Sequence, residues 1–173
     1  SQVRCARREF YVSSSCGVCG KQSIDRLHQK LGPITGQFTV TRDLLESLPG
    51  AMRAAQATFD STGGLHAAGL FTSQGKLFRL REDVGRHNAV DKVIGHQVMI
   101  GSLPLNQHIL LVSGRTSFEL VQKAAMAGIA MLASVGAPSS LAVDLAKQCN
   151  MTLIGFLRPG RMNVYHDTSR VIL

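Results

Sequence analysis

The alternation of apolar and polar positions predicts short strands and helices in regular succession over the second half of the chain. Residues 109–112 are an uninterrupted apolar run, and residues 130–134 are apolar up to Ser134, which is typical of strands buried on both faces of a sheet. Residues 152–157 form a third strand that is apolar after Thr152, and residues 118–127 and 139–149 carry apolar side chains at helical spacing. This order implies parallel strands joined by crossover helices, with helices covering both faces of the sheet.

The middle of the chain predicts a β-hairpin followed by a helix. Residues 65–72 and 77–80 are strand-like and flank the turn Ser73-Gln74-Gly75. Residues 84–99 carry apolar side chains at roughly helical spacing, and Asp83 is the expected N-cap of that helix.

Two short helices are predicted before the hairpin. Thr41 is a good N-cap for the first, Pro49 and Gly50 are expected to end it, and residues 52–59 form the second. A strand end at residues 10–12, a helix over 23–31 and a last strand at 163–165 complete the pattern. We therefore predict an α/β fold, a three-layer α/β/α sandwich, in which residues 1–31 lead into one compact domain at 32–173.

Composition and charge narrow the class of protein. The formal net charge is +8, and thirteen of the nineteen basic residues are Arg, whose planar guanidinium suits a phosphate-bearing partner. The basic residues are dispersed, which disfavours a dedicated nucleic-acid binder. No apolar run approaches the ~20 residues of a membrane span. We expect a cytoplasmic protein whose thiols are reduced.

Cys16 and Cys19 form a CxxC pair in a segment of small, polar residues. Such a pair suits half of a zinc site, a dithiol switch or a sulfur-carrying thiolate. No second CxxC is present, and the spare zinc ligands are Cys5, His28 and Cys149. Glycines inside and after the pair favour a mobile loop over a rigid helix start. The three chemistries stay open on the residues alone.

Basic and hydroxyl residues follow several predicted strands, where ligands of α/β sheets bind. Arg86 and His87 lie at the start of a predicted helix, and Arg115 lies in Ser113-Gly114-Arg115-Thr116-Ser117 after a buried strand. Arg161 follows the last buried strand. Helix starts and Arg side chains bind anions, so these four residues are candidates for holding phosphates.

Five motifs, in order along the chain, resemble the FdhD family, the accessory sulfurtransferases of formate dehydrogenase. They are Ser-Cys-Gly-Val-Cys-Gly at 15–20, Arg-Glu-Asp-Val-Gly-Arg-His-Asn-Ala-Val-Asp-Lys at 81–92, Val-Ser-Gly-Arg-Thr-Ser at 112–117, Gly-Ala-Pro-Ser-Ser-Leu-Ala at 136–142 and Asn-Val-Tyr at 163–165. The resemblance implies a cytidine-deaminase-like fold, a homodimer and a further N-terminal segment, which we expect to be missing from this chain.

The resemblance also implies an activity. A cysteine desulfurase would load sulfur onto the CxxC loop, and the protein would pass it to molybdenum or tungsten in the bis-molybdopterin guanine dinucleotide cofactor before insertion into formate dehydrogenase. Cys16 would carry the persulfide, and Cys19 would be its motif partner. The guanine dinucleotide would contact Met162, Asn163, Val164, Tyr165, His166 and Asp167. In this interpretation the cofactor is a bound substrate, and no tightly held metal is expected.

Two rival functions follow from the same residues. A cofactor-binding chaperone would use the CxxC pair only as a redox latch or zinc half-site. A zinc deaminase needs a Glu proton shuttle after a zinc-binding His and a downstream PCxxC. His66 is followed by Ala67 and Ala68, with no downstream Cys pair, so deamination is disfavoured.

Overall fold

The structure is a computed structural model, and it describes residues 31–173. The CxxC pair, the strand end at residues 10–12 and all but the last residue of the helix predicted over 23–31 lie outside this range. The elements are β1 (Val40–Thr41), α1 (Arg42–Ala54), α2 (Ala57–Thr62), β2 (His66–Thr72), β3 (Leu77–Asp83), α3 (Arg86–Met99), β4 (His108–Val112), α4 (Phe118–Met126), β5 (Met131–Ser134), α5 (Ser140–Gln148), β6 (Thr152–Arg158), β7 (Arg161–His166) and β8 (Val171–Ile172).

Six of the strands form one mixed sheet in the order β3-β2-β4-β5-β6-β7. Strands β4, β5 and β6 are parallel, which confirms the predicted strand–helix alternation. The predicted hairpin is confirmed as β2 and β3, and β7 adds an antiparallel edge. The two-residue strands β1 and β8 pair separately, and they are too short to leave a periodic pattern in the sequence.

Helices cover both faces of this sheet. Leu45, Leu48 and Met52 of α1 pack in one buried cluster with Ile109 and Leu111 of β4. The alternate residues of each strand point to the other face, where α3 contacts the hairpin, α5 contacts β6, and α4 packs between α3 and α5. The layers agree with the predicted sandwich, whereas its likeness to cytidine deaminases stays a prediction. No helix in residues 31–173 is long and apolar enough to cross a membrane.

Helix α1 continues through Pro49, so the predicted break at Pro49 and Gly50 is wrong. Proline inside a helix removes a hydrogen bond and costs about 3 kcal/mol. Leu48 and Met52 are almost completely buried on the same helix face, and burial of such side chains stabilises by about 1.5–3 kcal/mol each. The helix predicted over 52–59 is therefore replaced by the last turn of α1 and by α2, which begins at Ala57.

The turn between β3 and α3 is held by the Asp83 carboxylate. The prediction that Asp83 is the N-cap of α3 is wrong. Asp83 is the last residue of β3, and Gly85 is the N-cap. Its Oδ1 accepts hydrogen bonds from the Gly85 backbone N–H at 2.8 Å and from Asn88 Nδ2 at 3.0 Å. Its Oδ2 lies 2.5 Å from Lys92 Nζ. Hydrogen bonding from Lys92, then from Gly85 and Asn88, lowers the pKa of Asp83 to about 2.

Arg170 ties the start of the described chain to the sheet. Its side chain is buried, and Nε donates to the Gly36 carbonyl at 2.9 Å while Nη1 donates to the Asn150 carbonyl at 3.0 Å. The buried charge is thus satisfied largely by backbone carbonyls, which would otherwise lack partners. Gly36 passes so close to the next layer that a Cβ there would lie 2.0 Å from the Asn106 carbonyl oxygen.

Replacement of Gly36 by alanine will destabilise the domain. The added Cβ meets backbone at Asn106 and the Ala130 Cβ at 2.8 Å, so the segment must move. We expect a loss of about 1–3 kcal/mol in the free energy of unfolding, measured by urea denaturation. Gly32→Ala is the matched control, because a Cβ at Gly32 has nothing within 4 Å. Equal urea midpoints for the two variants would contradict this packing.

Replacement of Asp83 by asparagine will reduce stability in a pH-dependent way. The folded pKa of about 2 lies below the ordinary aspartate value of about 3.9. The carboxylate therefore stabilises the fold above about pH 4, and this contribution is lost as the pH falls towards 2. We expect wild type and Asp83→Asn to differ in urea midpoint at neutral pH and to converge in acid. Asp144→Asn, at an exposed position on α5, is the control, and its difference from wild type in urea midpoint should not change between neutral pH and acid.

Candidate functional site

Three helices begin at the same edge of the sheet. Strands β3, β4 and β5 run in the same direction, so α3, α4 and α5 all start near their carboxyl ends. The residues that precede the first helical turns are Gly85, Ser117 and Ser139. First-turn N–H groups lack helical partners and carry partial positive charge, so this edge attracts anions.

A cleft of about 320 Å³ opens between these helix starts. It is lined by Arg86, Arg115, Thr116, Ser117, Ala137, Pro138 and Ser139. The described lining thus offers two guanidinium groups and three hydroxyl groups, and no acidic side chain belongs to it. Such a donor-rich wall suits a phosphate or a similar oxyanion.

Two loops are bonded together to form the wall of the cleft. The Thr116 backbone N–H donates to the Ala137 carbonyl at 3.1 Å, and the Ser139 N–H donates to the Thr116 carbonyl at 2.9 Å. A Cβ at Gly136 would lie 3.0 Å from Arg115 Cα, so the loops approach this closely only because Gly136 lacks one. The pairing fixes Arg115 and Thr116 relative to the start of α5.

Two polar atoms at the cleft are buried without a hydrogen-bond partner among the described residues. They are Arg86 Nε and Thr116 Oγ1, and Thr116 as a whole is only 1% exposed. Buried polar groups in native proteins are nearly always hydrogen-bonded, so these two atoms offer hydrogen-bonding capacity that a ligand at the cleft can use. Both atoms can donate, which again points to an oxyanion.

His87 lies next to the cleft and joins α3 to α4. Its Nε2 is 3.0 Å from Ser117 Oγ and 2.9 Å from Glu119 Oε2. Ser117 makes no side-chain capping bond to α4, so its hydroxyl is held by His87 alone among the described contacts. The histidine therefore orients a wall residue of the cleft.

A second cavity lies on the α1 side of the same edge. Its volume is about 570 Å³, and its lining includes Met52, Phe59 and His66. A Cβ at Gly114 would lie 3.4 Å from His66 ring atoms and 3.7 Å from Arg86 Cδ. The backbone segment at Gly114 thus lies between this more apolar cavity and the donor-rich cleft.

The residues of β7 are only partly brought towards the cleft. A Cβ at Gly155 would lie 2.9 Å from the Tyr165 ring and 2.8 Å from Pro138, so Tyr165 is a near neighbour of the cleft wall. Arg161 lies over the Phe156 ring at 6.0 Å, and Met162 packs against the core on the α1 side. Asn163 and Val164 lie along this exposed edge strand opposite Gly155 and Ile154.

His166 and Asp167 lie at the other edge of the sheet. The Asp167 carboxylate accepts a hydrogen bond from Thr152 Oγ1 at 2.9 Å and from the Arg170 backbone N–H at 3.1 Å. His166 Nε2 is buried without a described partner, and burial lowers the pKa of this imidazole. Among the candidate residues, Arg86, His87 and Arg115 therefore lie close together at the cleft, whereas His166 and Asp167 lie apart from them.

Sequence reasoning missed Glu119 and the contribution of the loop that ends at Ser139. The loop had a usable signal, because Gly136-Ala137-Pro138-Ser139 follows a buried strand with small and hydroxyl residues, as Ser113–Ser117 does. Glu119 had none, since its partner His87 is 32 residues away and nothing in the local pattern pairs them.

None of the described residues that line the cleft is a cysteine. Cys149, at the end of α5, is buried, and burial raises the pKa of its thiol. It is therefore a poor nucleophile and a poor candidate for completing a zinc site. No group of three His, Cys, Asp or Glu side chains in residues 31–173 has metal-binding geometry. Cys16 and Cys19 lie outside this range.

Comparison with known proteins gives close relatives. Proteins named "Sulfur carrier protein FdhD" are 55% identical in Streptomyces avermitilis, 53% in Mycobacterium tuberculosis and 46% in Picrophilus torridus. The matches cover 96%, 95% and 95% of this chain, and 60%, 60% and 63% of the relatives. The chain thus spans about three fifths of the length of these curated relatives.

A solved structure has the same fold over most of the described chain. It comes from Desulfotalea psychrophila and is described as a candidate formate dehydrogenase accessory protein. The TM-score is 0.76 at 31% sequence identity, and the match covers 85% of this chain and 62% of that one. The sequence model of the FdhD/NarQ family matches residues 1–172. This chain belongs to the FdhD/NarQ family.

Proposed function

We propose that this chain is a sulfur carrier that serves the maturation of formate dehydrogenase. It takes sulfur from a cysteine desulfurase as a persulfide and delivers it to the metal of a bis-molybdopterin guanine dinucleotide cofactor. The printed names of the relatives support the sulfur-carrier role. The observation that carries the cofactor part is the donor-rich cleft, with its unpartnered Arg86 Nε and Thr116 Oγ1.

The sulfur chemistry rests on the CxxC pair. The Cys16 thiolate attacks the outer sulfur of the desulfurase persulfide, forms a new S–S bond, and releases the desulfurase cysteine as a thiolate. Cys19 then attacks Cys16 Sγ, which forms a Cys16–Cys19 disulfide and releases the outer sulfur as sulfide for the metal. An external dithiol reduces the disulfide before the next cycle.

The cleft suits the phosphates of the cofactor's dinucleotide part. Arg86 and Arg115 supply guanidinium groups, Thr116 and Ser117 supply hydroxyl groups, and three helix starts add partial positive charge. Tyr165 lies beside the Pro138 wall and could contact the organic part of the ligand, whereas the other β7 residues lie farther along the strand. Recognition of guanine by β7 remains part of this proposal.

Loading of labelled sulfur tests the transfer step. We expect incubation with a cysteine desulfurase and labelled cysteine to add one sulfur atom to the chain, observed by mass spectrometry without reductant. Cys16→Ser should lose the adduct. Cys149→Ser is the matched control and should retain it, because the Cys149 thiol is buried and has a raised pKa. An intact nucleotide site with no adduct on any cysteine would favour the cofactor-binding chaperone.

Nucleotide titration tests the cleft. Arg115→Gln should weaken the binding of guanosine diphosphate about 10- to 100-fold, because a hydrogen bond to a charged group contributes about 1.5–3 kcal/mol. Lys76→Gln removes one positive charge from an exposed position at the β2–β3 turn, at the other edge of the sheet. Isothermal titration should show near wild-type affinity for that control. Equal weakening in both variants would point to net charge instead of the cleft.

A further inference from the structure

The contacts of His87 with Ser117 and Glu119 bear on where one proton lies. Glu119 Oε2 is 2.9 Å from His87 Nε2, and an ionised carboxylate can only accept a hydrogen bond. This contact therefore favours a hydrogen on His87 Nε2. The neighbouring Ser117 Oγ, 3.0 Å from the same nitrogen, finds no lone pair there to which it could donate.

We propose that Glu119, acting through His87, keeps the Ser117 hydroxyl as a hydrogen-bond donor to the cleft, so that the cleft selects oxyanions. The Ser117 oxygen can accept from Nε2, while its own hydrogen is free to turn towards the ligand. Glu119 does not line the cleft itself and is thus a positioning residue. This inference rests on the proposed binding of phosphates at the cleft.

The other groups at the cleft support the same selection. Thr116 lines the cleft and is 1% exposed, and its Oγ1 has no described partner. Arg86 Nε is a second unpartnered donor. If Ser117 donated to His87 instead, the wall would present a bare oxygen to an anion, which is repulsive. With Glu119 in place, every described polar side chain of the wall can donate to the ligand.

Few charged groups lie near His87 on the helices and loops that pack against it. Glu119 is its direct partner on α4, and the Asp91–Lys123 pair joins α3 and α4 one turn farther along, at 2.5 Å. Arg86 and Arg115 lie on the cleft side. Any change at Glu119 therefore alters local charge as well as hydrogen bonding, and the experiment must separate the two effects.

Two variants of Glu119 make that separation. Glu119→Gln and Glu119→Met remove the same charge, but only glutamine keeps an oxygen that can accept from His87 Nε2. In the methionine variant Nε2 can lose its hydrogen, and Ser117 can then donate to it. The probe is sulfate, which is a dianion at neutral pH, and affinity is measured by titration of the full chain at low ionic strength.

At neutral pH, Glu119→Met should bind sulfate about three- to tenfold more weakly than Glu119→Gln. The two variants carry the same charge, so this difference reports the hydrogen bond to His87 Nε2 and not the loss of the carboxylate charge.

Ser117→Ala completes the cycle. Ser117 makes no capping bond to its helix, so its replacement leaves α4 intact. In this background the two Glu119 variants should bind sulfate equally. Equal affinities with Ser117 present, or a difference that persists in the Ser117→Ala background, would overturn the positioning role while the cleft itself stands. Failure of wild type to bind sulfate at all would overturn both this inference and the proposed anion site.

Discussion

The parallel pairing of β4, β5 and β6 is the constraint from which the rest of the structure follows. Each parallel step needs a crossover helix, and each such helix must start where a strand ends. The starts of α4 and α5 therefore meet at one edge, and β3, which runs in the same direction, brings the start of α3 to it. The backbone alone creates a positive potential there before any side chain is considered.

The side chains at this edge add specificity to that potential. Gly136 allows two loops to pair closely, and the pairing places Arg115 beside Arg86 and buries Thr116. A hydroxyl group differs from a guanidinium group and from a backbone N–H group in that a neighbour can redirect its hydrogen. The Glu119–His87 contact supplies such a neighbour to Ser117 beside the cleft.

The central strands could be predicted from the sequence because almost all of their residues are buried. Every residue of β5 and all but the first residue of β4 are buried, and the Ser139 cap of α5 accepts the expected hydrogen bond from the Ala142 backbone N–H. Errors arose where tertiary packing overrides local preference, as at Pro49 in α1 and at Asp83, whose carboxylate folds a turn instead of capping a helix. The cleft was located through Arg86 and Arg115, whereas its supporting carboxylate required contacts between distant residues that no local pattern contains.

The bonds from Arg170 have a consequence for how this domain is made. They join residues that lie 134 and 136 positions apart, so the Gly36 and Ile34 carbonyls lack these particular donors until Arg170 has been synthesised. At ~5–20 residues per second this delay is on the order of ten seconds. During that time the segment around β1 has neither Arg170 nor its partner strand β8. The pairing of β1 therefore depends on residues that are synthesised last, so we expect β1 and β8 to come together after the central sheet has formed.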